Sequence, residues 1–149
     1  MTEKQQTNLC KSKHRSGCPI TCTLELIGDK WSLLLIRDII TGKHRYGDFE
    51  SSPEQIPTNI LADRLKRLVN SDVLEKVQYQ ERPTRYAYKL TPKGAELIDV
   101  LKALASWGGK HDHGNWQPPE FFWTLTAEKI LQNQHTTIQT LMTEKGTPV

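Results

Sequence analysis

"IPTNILADRLKRLVNSDVLEK", residues 56–76, is the stretch on which the fold of this chain turns. Leu61, Leu65 and Leu68 recur at i, i+4 and i+7, the spacing of one buried face of a helix over residues 57–70. The other face carries Asn59, Asp63, Lys66 and Asn70, with Arg64 and Arg67 at its margins. A helix enters the major groove of double-stranded DNA only if a scaffold grips one side and leaves hydrogen-bonding groups free on the other. This stretch meets that condition.

The period changes immediately downstream. Val73, Glu75, Val77 and Tyr79 alternate with polar neighbours, and after "ERPT" Tyr86, Tyr88 and Leu90 alternate again, which predicts a two-stranded hairpin with a polar tip. "LTPKG" then restarts a helix, with Thr91 as cap and Pro92 in the first position; Leu97, Leu101, Leu104 and Ala105 supply its buried side. Upstream, "CPITCTLELIG" predicts a helix capped at Cys18, with Ile20, Leu24 and Ile27 as a buried stripe. Asp29 is placed to cap a central helix, "KWSLLLIRDIITG", which Gly42 ends. "RYGDFESSPEQ" has room for one or two helical turns around Tyr46 and Phe49.

Helix, helix, short helix, helix, hairpin, helix is the order of a winged helix-turn-helix. The fold class expected is mainly α with a small β-hairpin wing. Residues 1–16 read as a polar arm, 17–113 as the DNA-binding and dimerisation domain, and 114–149 as a helical extension beyond the breaker-rich "GGKHDHGNWQPP". Within the extension, the consecutive Phe121, Phe122 and Trp123 cannot all lie on one buried face.

Composition narrows the function. The chain has 149 residues, 36% of them hydrophobic and 25% charged, which fits one soluble domain. No apolar run approaches the roughly 18 residues of a membrane span, and the N-terminus lacks an apolar signal core, so a cytoplasmic address is expected. The net charge of +3 is unevenly spread: residues 43–93 hold ten basic and seven acidic side chains. That imbalance permits an anionic partner. Cys10, His14, Cys18 and Cys22 are spaced by four, but Gly17 and Pro19 interrupt a continuous helix and no CxxC pair is present, so neither metal nor cofactor is expected. His111 and His113 flank Asp112 in the linker and read as solvated. The chain carries no nucleophile elbow, phosphate loop or zinc-helix motif, and no enzyme activity is expected.

The blocks "CPI", "GDKWSLLLIRDIITGKHRYGDF", "IPTNILADRLKRL", "RPTRYAYKLTPKG" and "ASWGGKH", in that order and spacing, resemble the HxlR-type transcriptional regulators over residues 18–113. The resemblance implies a dimeric cytoplasmic regulator whose first and last domain helices form the dimer contact. Those helices offer Ile20, Leu24 and Ile27, and Leu101, Leu104 and Trp107. It places the start of the recognition helix on Pro57–Arg64 and the wing on residues 80–85. The family has glycine where this chain has Asp72, a residue that tolerates the left-handed conformation better than most.

The expected DNA contacts are therefore Thr58, Asn59, Asp63, Arg64, Lys66 and Arg67 on the helix, with Arg82 and Arg85 on the wing. Asp63 serves there by accepting from cytosine or by orienting Arg64 or Arg67. One recognition helix reads only a few base pairs, so a homodimer on a pseudo-palindrome is expected. Cys18, at a helix N-terminus near Lys13 and Arg15, is a candidate thiol sensor for a small electrophile or oxidant, with Cys10 as a resolving thiol. The competing readings are a winged-helix protein-interaction module without specific DNA binding, and a thiol enzyme.

Overall fold

The computed structural model describes residues 15–111, 114 and 117–144; Cys10, His14, Asp112 and His113 lie outside these. Helix α1 (Pro19–Ile27) leads through Asp29 into α2 (Ser32–Ile40). The carboxylate of Asp29 accepts from the backbone N–H of Trp31 (2.9 Å) and Ser32 (3.0 Å), and so fills the capping role its position promised. Gly42, at φ 101°, closes the C-terminal end of α2. The short α3 (Tyr46–Glu50) and the longer α4 (Thr58–Asn70) follow. The hairpin β1 (Leu74–Gln80) and β2 (Arg85–Leu90) pairs Leu74 with Leu90 and Lys76 with Tyr88. Helices α5 (Pro92–Ala95) and α6 (Ile98–His111) come next, then α7 (Glu120–Thr124) and α8 (Ala127–Glu144). The chain is mainly helical with a two-stranded antiparallel wing, as the sequence pattern requires.

The core forms where the apolar stripes converge. Leu61, Leu65 and Leu68 of α4 are fully buried against Ile36 and Ile39 of α2, Phe49 of α3, Leu74 and Leu90 of the hairpin, and Ile98 of α6. A buried leucine contributes roughly 1.5–3 kcal/mol, so this stripe fixes the azimuth of α4. Burial of the leucines is what turns its polar face outward.

The turn after α4 shows how a non-glycine residue meets a glycine's task. Asp72 sits at φ 60°; its N–H reaches the Val69 carbonyl (3.1 Å), and the Val73 N–H reaches the Leu68 carbonyl (2.9 Å). That pair of bonds is the Schellman closure. Asp72→Gly is expected to stabilise the fold by about 0.5–1 kcal/mol, whereas Asp72→Val should lower stability by about 1–3 kcal/mol. Thermal melting of the two variants checks both signs.

Three expectations need correction. Ile20 and Leu24 are not buried within the chain: they are 71% and 55% exposed, and only Ile27 and Cys22 of α1 are covered. Ile27 and Leu101 are instead largely covered by the chain's own core; periodicity marks an apolar face without saying which molecule covers it. The helix restarted at Pro92 is also not continuous, because a turn at Glu96–Leu97 separates α5 from α6. Thr91 does cap it, its hydroxyl accepting from the Gly94 N–H (3.0 Å).

The extension beyond residue 113 joins the core. Phe122, Leu125 and Ile130 pack into the main cluster, while Phe121 and Trp123 remain exposed. The three aromatics therefore divide between core and surface, as one helix face cannot bury them all.

Candidate nucleic-acid interface

Helix α4 presents Thr58, Asn59, Asp63, Lys66 and Arg67 to solvent. Its first turn is held by Tyr46 of α3, whose hydroxyl donates to the Thr58 carbonyl (3.1 Å). Arg64 is in a different position: its guanidinium pairs with Asp29 at 3.0 Å and with Asp63, and the side chain is only 21% exposed. Asp29 is held down to about 2: burial opposes ionisation, but bonds from Ser32, Trp31 and Arg64 outweigh it. The Arg67 guanidinium donates to the Glu25 carbonyl of α1 (3.1 Å). The two marginal arginines thus tie α4 to α1 and the α1–α2 turn, a role invisible in the sequence because Asp29 and Glu25 are distant along the chain.

The wing stands beside this helix. Arg82 and Arg85 are exposed at its tip and at the start of β2. Lys76 lies 4.2 Å over the Tyr86 ring, a cation–π arrangement that holds its ammonium on the outer strand face. Between α3 and the wing runs a groove of about 550 Å³ lined by Arg45, Tyr46, Lys76, Arg85, Tyr86 and Tyr88. Arg45 is neutralised by Asp48 (3.0 Å), leaving Lys76 and Arg85 as the excess positive charge there. Cations, tyrosine hydroxyls and aromatic faces around an open groove suit a sugar–phosphate strand.

His44 is a functional support that sequence reasoning missed. It is buried, its carbonyl accepts from the Tyr88 N–H (2.8 Å), and its Nδ1 lies 2.9 Å from the Tyr88 carbonyl. Burial pushes its pKa down, so the ring is neutral and Nδ1–H donates to that carbonyl. With the Arg45–Ala87 bridge, this segment acts as a third, short partner to the hairpin. No periodicity marks a single residue of that kind.

The family model described as HxlR-like helix-turn-helix matches residues 26–115, a span running from the end of α1 through both halves of this interface. The chain belongs to that family. Among curated relatives, the uncharacterised HTH-type transcriptional regulator YdeP of Bacillus subtilis is 33% identical over 95 residues, covering 64% of this chain and 74% of the relative. The corresponding figures for the uncharacterised regulator Mb3122 of Mycobacterium bovis are 34% over 99 residues, 66% and 62%, so the chain spans less than two thirds of that protein. Among solved structures, the redox regulator HypR in its oxidized form aligns with TM-score 0.60 at 28% identity, covering 65% of this chain and all of the other. The reduced transcriptional regulator YodB from B. subtilis aligns with TM-score 0.56 at 28% identity, covering 64% and 95%. This HxlR-type chain is therefore a helix-turn-helix transcriptional regulator, with DNA as the partner its family implies.

The α1 N-terminus carries the remaining candidate. Cys18 is the N-cap of α1 and an exposed free thiol. The backbone N–H of Thr21, and then that of Ile20, lowers its pKa from the ordinary thiol value. Among the described residues no helix is long and apolar enough to cross a membrane.

Proposed function

We propose that this HxlR-type protein is a homodimer that binds a pseudo-palindromic operator, α4 entering the major groove and the wing gripping the flanking backbone. The observation that carries the reading is the azimuth of α4: its leucines are wholly buried, while Thr58, Asn59, Asp63, Lys66 and Arg67 are exposed, as are wing residues Arg82 and Arg85. Asn59 and Lys66 are the candidates for base edges, and Arg82 and Arg85 for phosphates. Arg64 serves chiefly to orient α4 through Asp29. Asn59→Ala is expected to cost about 1–3 kcal/mol per half-site on the preferred operator and to relax preference at particular base pairs; Arg85→Ala should weaken all sequences alike and lower the salt slope by about 1 per half-site. Binding titrations of both variants against matched and scrambled duplexes at several salt concentrations decide it. Asn59→Ala acting uniformly on every duplex would remove α4 from base readout.

Dimerisation is supported by apolar surface that the chain leaves open. Leu104 and Trp107 of α6 are 52% and 67% exposed, and Ile20 and Leu24 of α1 are similarly uncovered. An apolar groove of about 610 Å³ opens at Leu104, lined also by Leu33, Leu34, Leu101 and Phe121 among others. Patches of this kind mark association surfaces. The proposed contact therefore centres on Ile20, Leu24, Leu104 and Trp107, with Leu101 on the groove wall and Ile27 covered by the chain's own core.

The likeness to HypR and YodB, the first named a redox regulator, supports a sensing role for Cys18 within this reading. A thiolate there would be the first group to meet an oxidant or electrophile. Because α1 lies at the proposed dimer contact, an adduct would shift the two recognition helices relative to each other. Treatment with an electrophile is expected to weaken operator binding at least several-fold in the wild type and to leave Cys18→Ser unaffected. Equal sensitivity in both proteins would reduce Cys18 to a helix cap.

A further inference from the structure

A two-stranded hairpin is marginal in water unless one of its faces is covered. Here α8, which lies beyond the family-matched residues 26–115, provides the cover. Ile138 is buried in a satellite cluster with Tyr79 and Ala87, flanked by Val77 and Leu141, and this cluster is separate from the main core. One turn earlier on α8 is Gln134, a polar side chain that is 95% buried. Its Oε1 accepts from the Leu90 N–H at 2.9 Å and its Nε2 donates to the Leu90 carbonyl at 2.6 Å. Both main-chain groups of the last β2 residue are thus satisfied by one amide, which no shorter or apolar side chain could do.

We propose that α8 is a brace for the wing, and that Gln134 and Ile138 are positioning residues for DNA binding, setting where Arg82 and Arg85 meet the phosphates. The proposal rests on the DNA-binding reading above and adds a regulatory element to it. Gln134 pins the root of β2 through Leu90, and Ile138 covers the strands between that root and the tip. The wing of this chain is therefore oriented from behind by its own C-terminal helix as well as by its neighbours in the helix-turn-helix. Loosening the Gln134–Ile138 part of α8, whose apolar contacts form the satellite cluster, would free the wing while α4 stays gripped through its leucines by the main core, which Ile130 at the start of α8 also joins.

The test compares Gln134→Ala and Ile138→Ala with Gln132→Ala on the exposed side of α8, all in the full chain. Without DNA, amide hydrogen exchange should accelerate at least tenfold across Tyr86–Leu90 in the first two variants, relative to amides of α2 and α4. With DNA, both should weaken binding on the order of tenfold and flatten the salt slope toward that of an Arg82→Ala/Arg85→Ala double variant. Gln134→Ala added to that double variant should cost nothing further, because the wing contacts it acts through are already gone. A residue that merely stabilised the fold would lower the melting temperature, leave the slope unchanged and add fully to the arginine changes; that result overturns the brace while leaving the regulator reading intact. Absence of DNA binding by the wild-type protein would overturn the regulator reading and the wing's role with it.

Discussion

Replacing Gly94 with alanine is expected to cost this protein about 3 kcal/mol, and roughly 10 °C of melting temperature for a chain of this size. Gly94 lies in α5 directly beneath the root of the wing. A Cβ there would stand 2.1 Å from the Val73 carbonyl oxygen and 3.0 Å from a methyl of Leu90. The methyl could rotate away, but the carbonyl cannot. It accepts from the Thr91 N–H at 3.1 Å, and the Thr91 hydroxyl, which donates to the neighbouring Asp72 carbonyl at 2.6 Å, caps α5 by accepting from the Gly94 N–H. Relief of the clash therefore requires the α5 start and the hairpin root to separate, unmaking several buried hydrogen bonds together. Calorimetry or denaturant unfolding measures the loss, and Gly108→Ala, where a Cβ meets nothing within 4 Å, serves as control. A Gly94→Ala variant melting within about 2 °C of wild type would show that the wing root is not the tight junction described.

The second large effect lies in binding. Reversing both wing charges, Arg82→Glu with Arg85→Glu, should weaken DNA binding on the order of a hundredfold or more at moderate salt. Each arginine on a phosphate releases condensed counterion, so losing two such contacts per wing should also lower the magnitude of the log–log salt slope by about 1.8 per half-site, or about 3.6 for the dimer. The two side chains are exposed, and none of their described hydrogen bonds or ion pairs places a carboxylate on either guanidinium, so the reversal leaves the core untouched. Net charge alone also changes, and a reversal away from the interface separates the two causes: Lys129→Glu, exposed on α8, should shift affinity only slightly. Titrations across a salt series in wild type, wing variant and Lys129→Glu supply the comparison. Equal losses in the two variants would mean that bulk charge, not the wing, governs binding.

Legibility from sequence followed the range of the interactions involved. Leu61, Leu65 and Leu68 declared the face of α4 because helical periodicity is local, whereas the left-handed turn at Asp72 was legible only through the family resemblance, which places glycine there. The hairpin was legible from its period of two and its polar tip. What could not be read was which apolar stripe packs on which molecule. Ile27 and Leu101 look no different in sequence from Leu24 and Leu104, yet the first pair is buried in the chain and the second is open. Arg64 read as a groove residue because its partner Asp29 is far away along the chain, and Gln134 read as nothing because a buried amide has no pattern. His44 escaped notice for the same reason. These side chains act through contacts of long sequence separation, and a single sequence carries no record of them.

The central claim, that this HxlR-type protein reads a specific two-fold site, is tested most directly by selecting fragments of its native genome with the purified protein at moderate salt. The retained fragments are then footprinted, and their affinity is compared with that of random DNA. The account predicts that fragments sharing a pseudo-palindrome, with half-site centres about one helical turn or a multiple of it apart, bind about a thousandfold or more tighter than random DNA. It also predicts two protein chains per protected site. Genomic fragments held no better than random DNA, or a single chain saturating an asymmetric site, would contradict it.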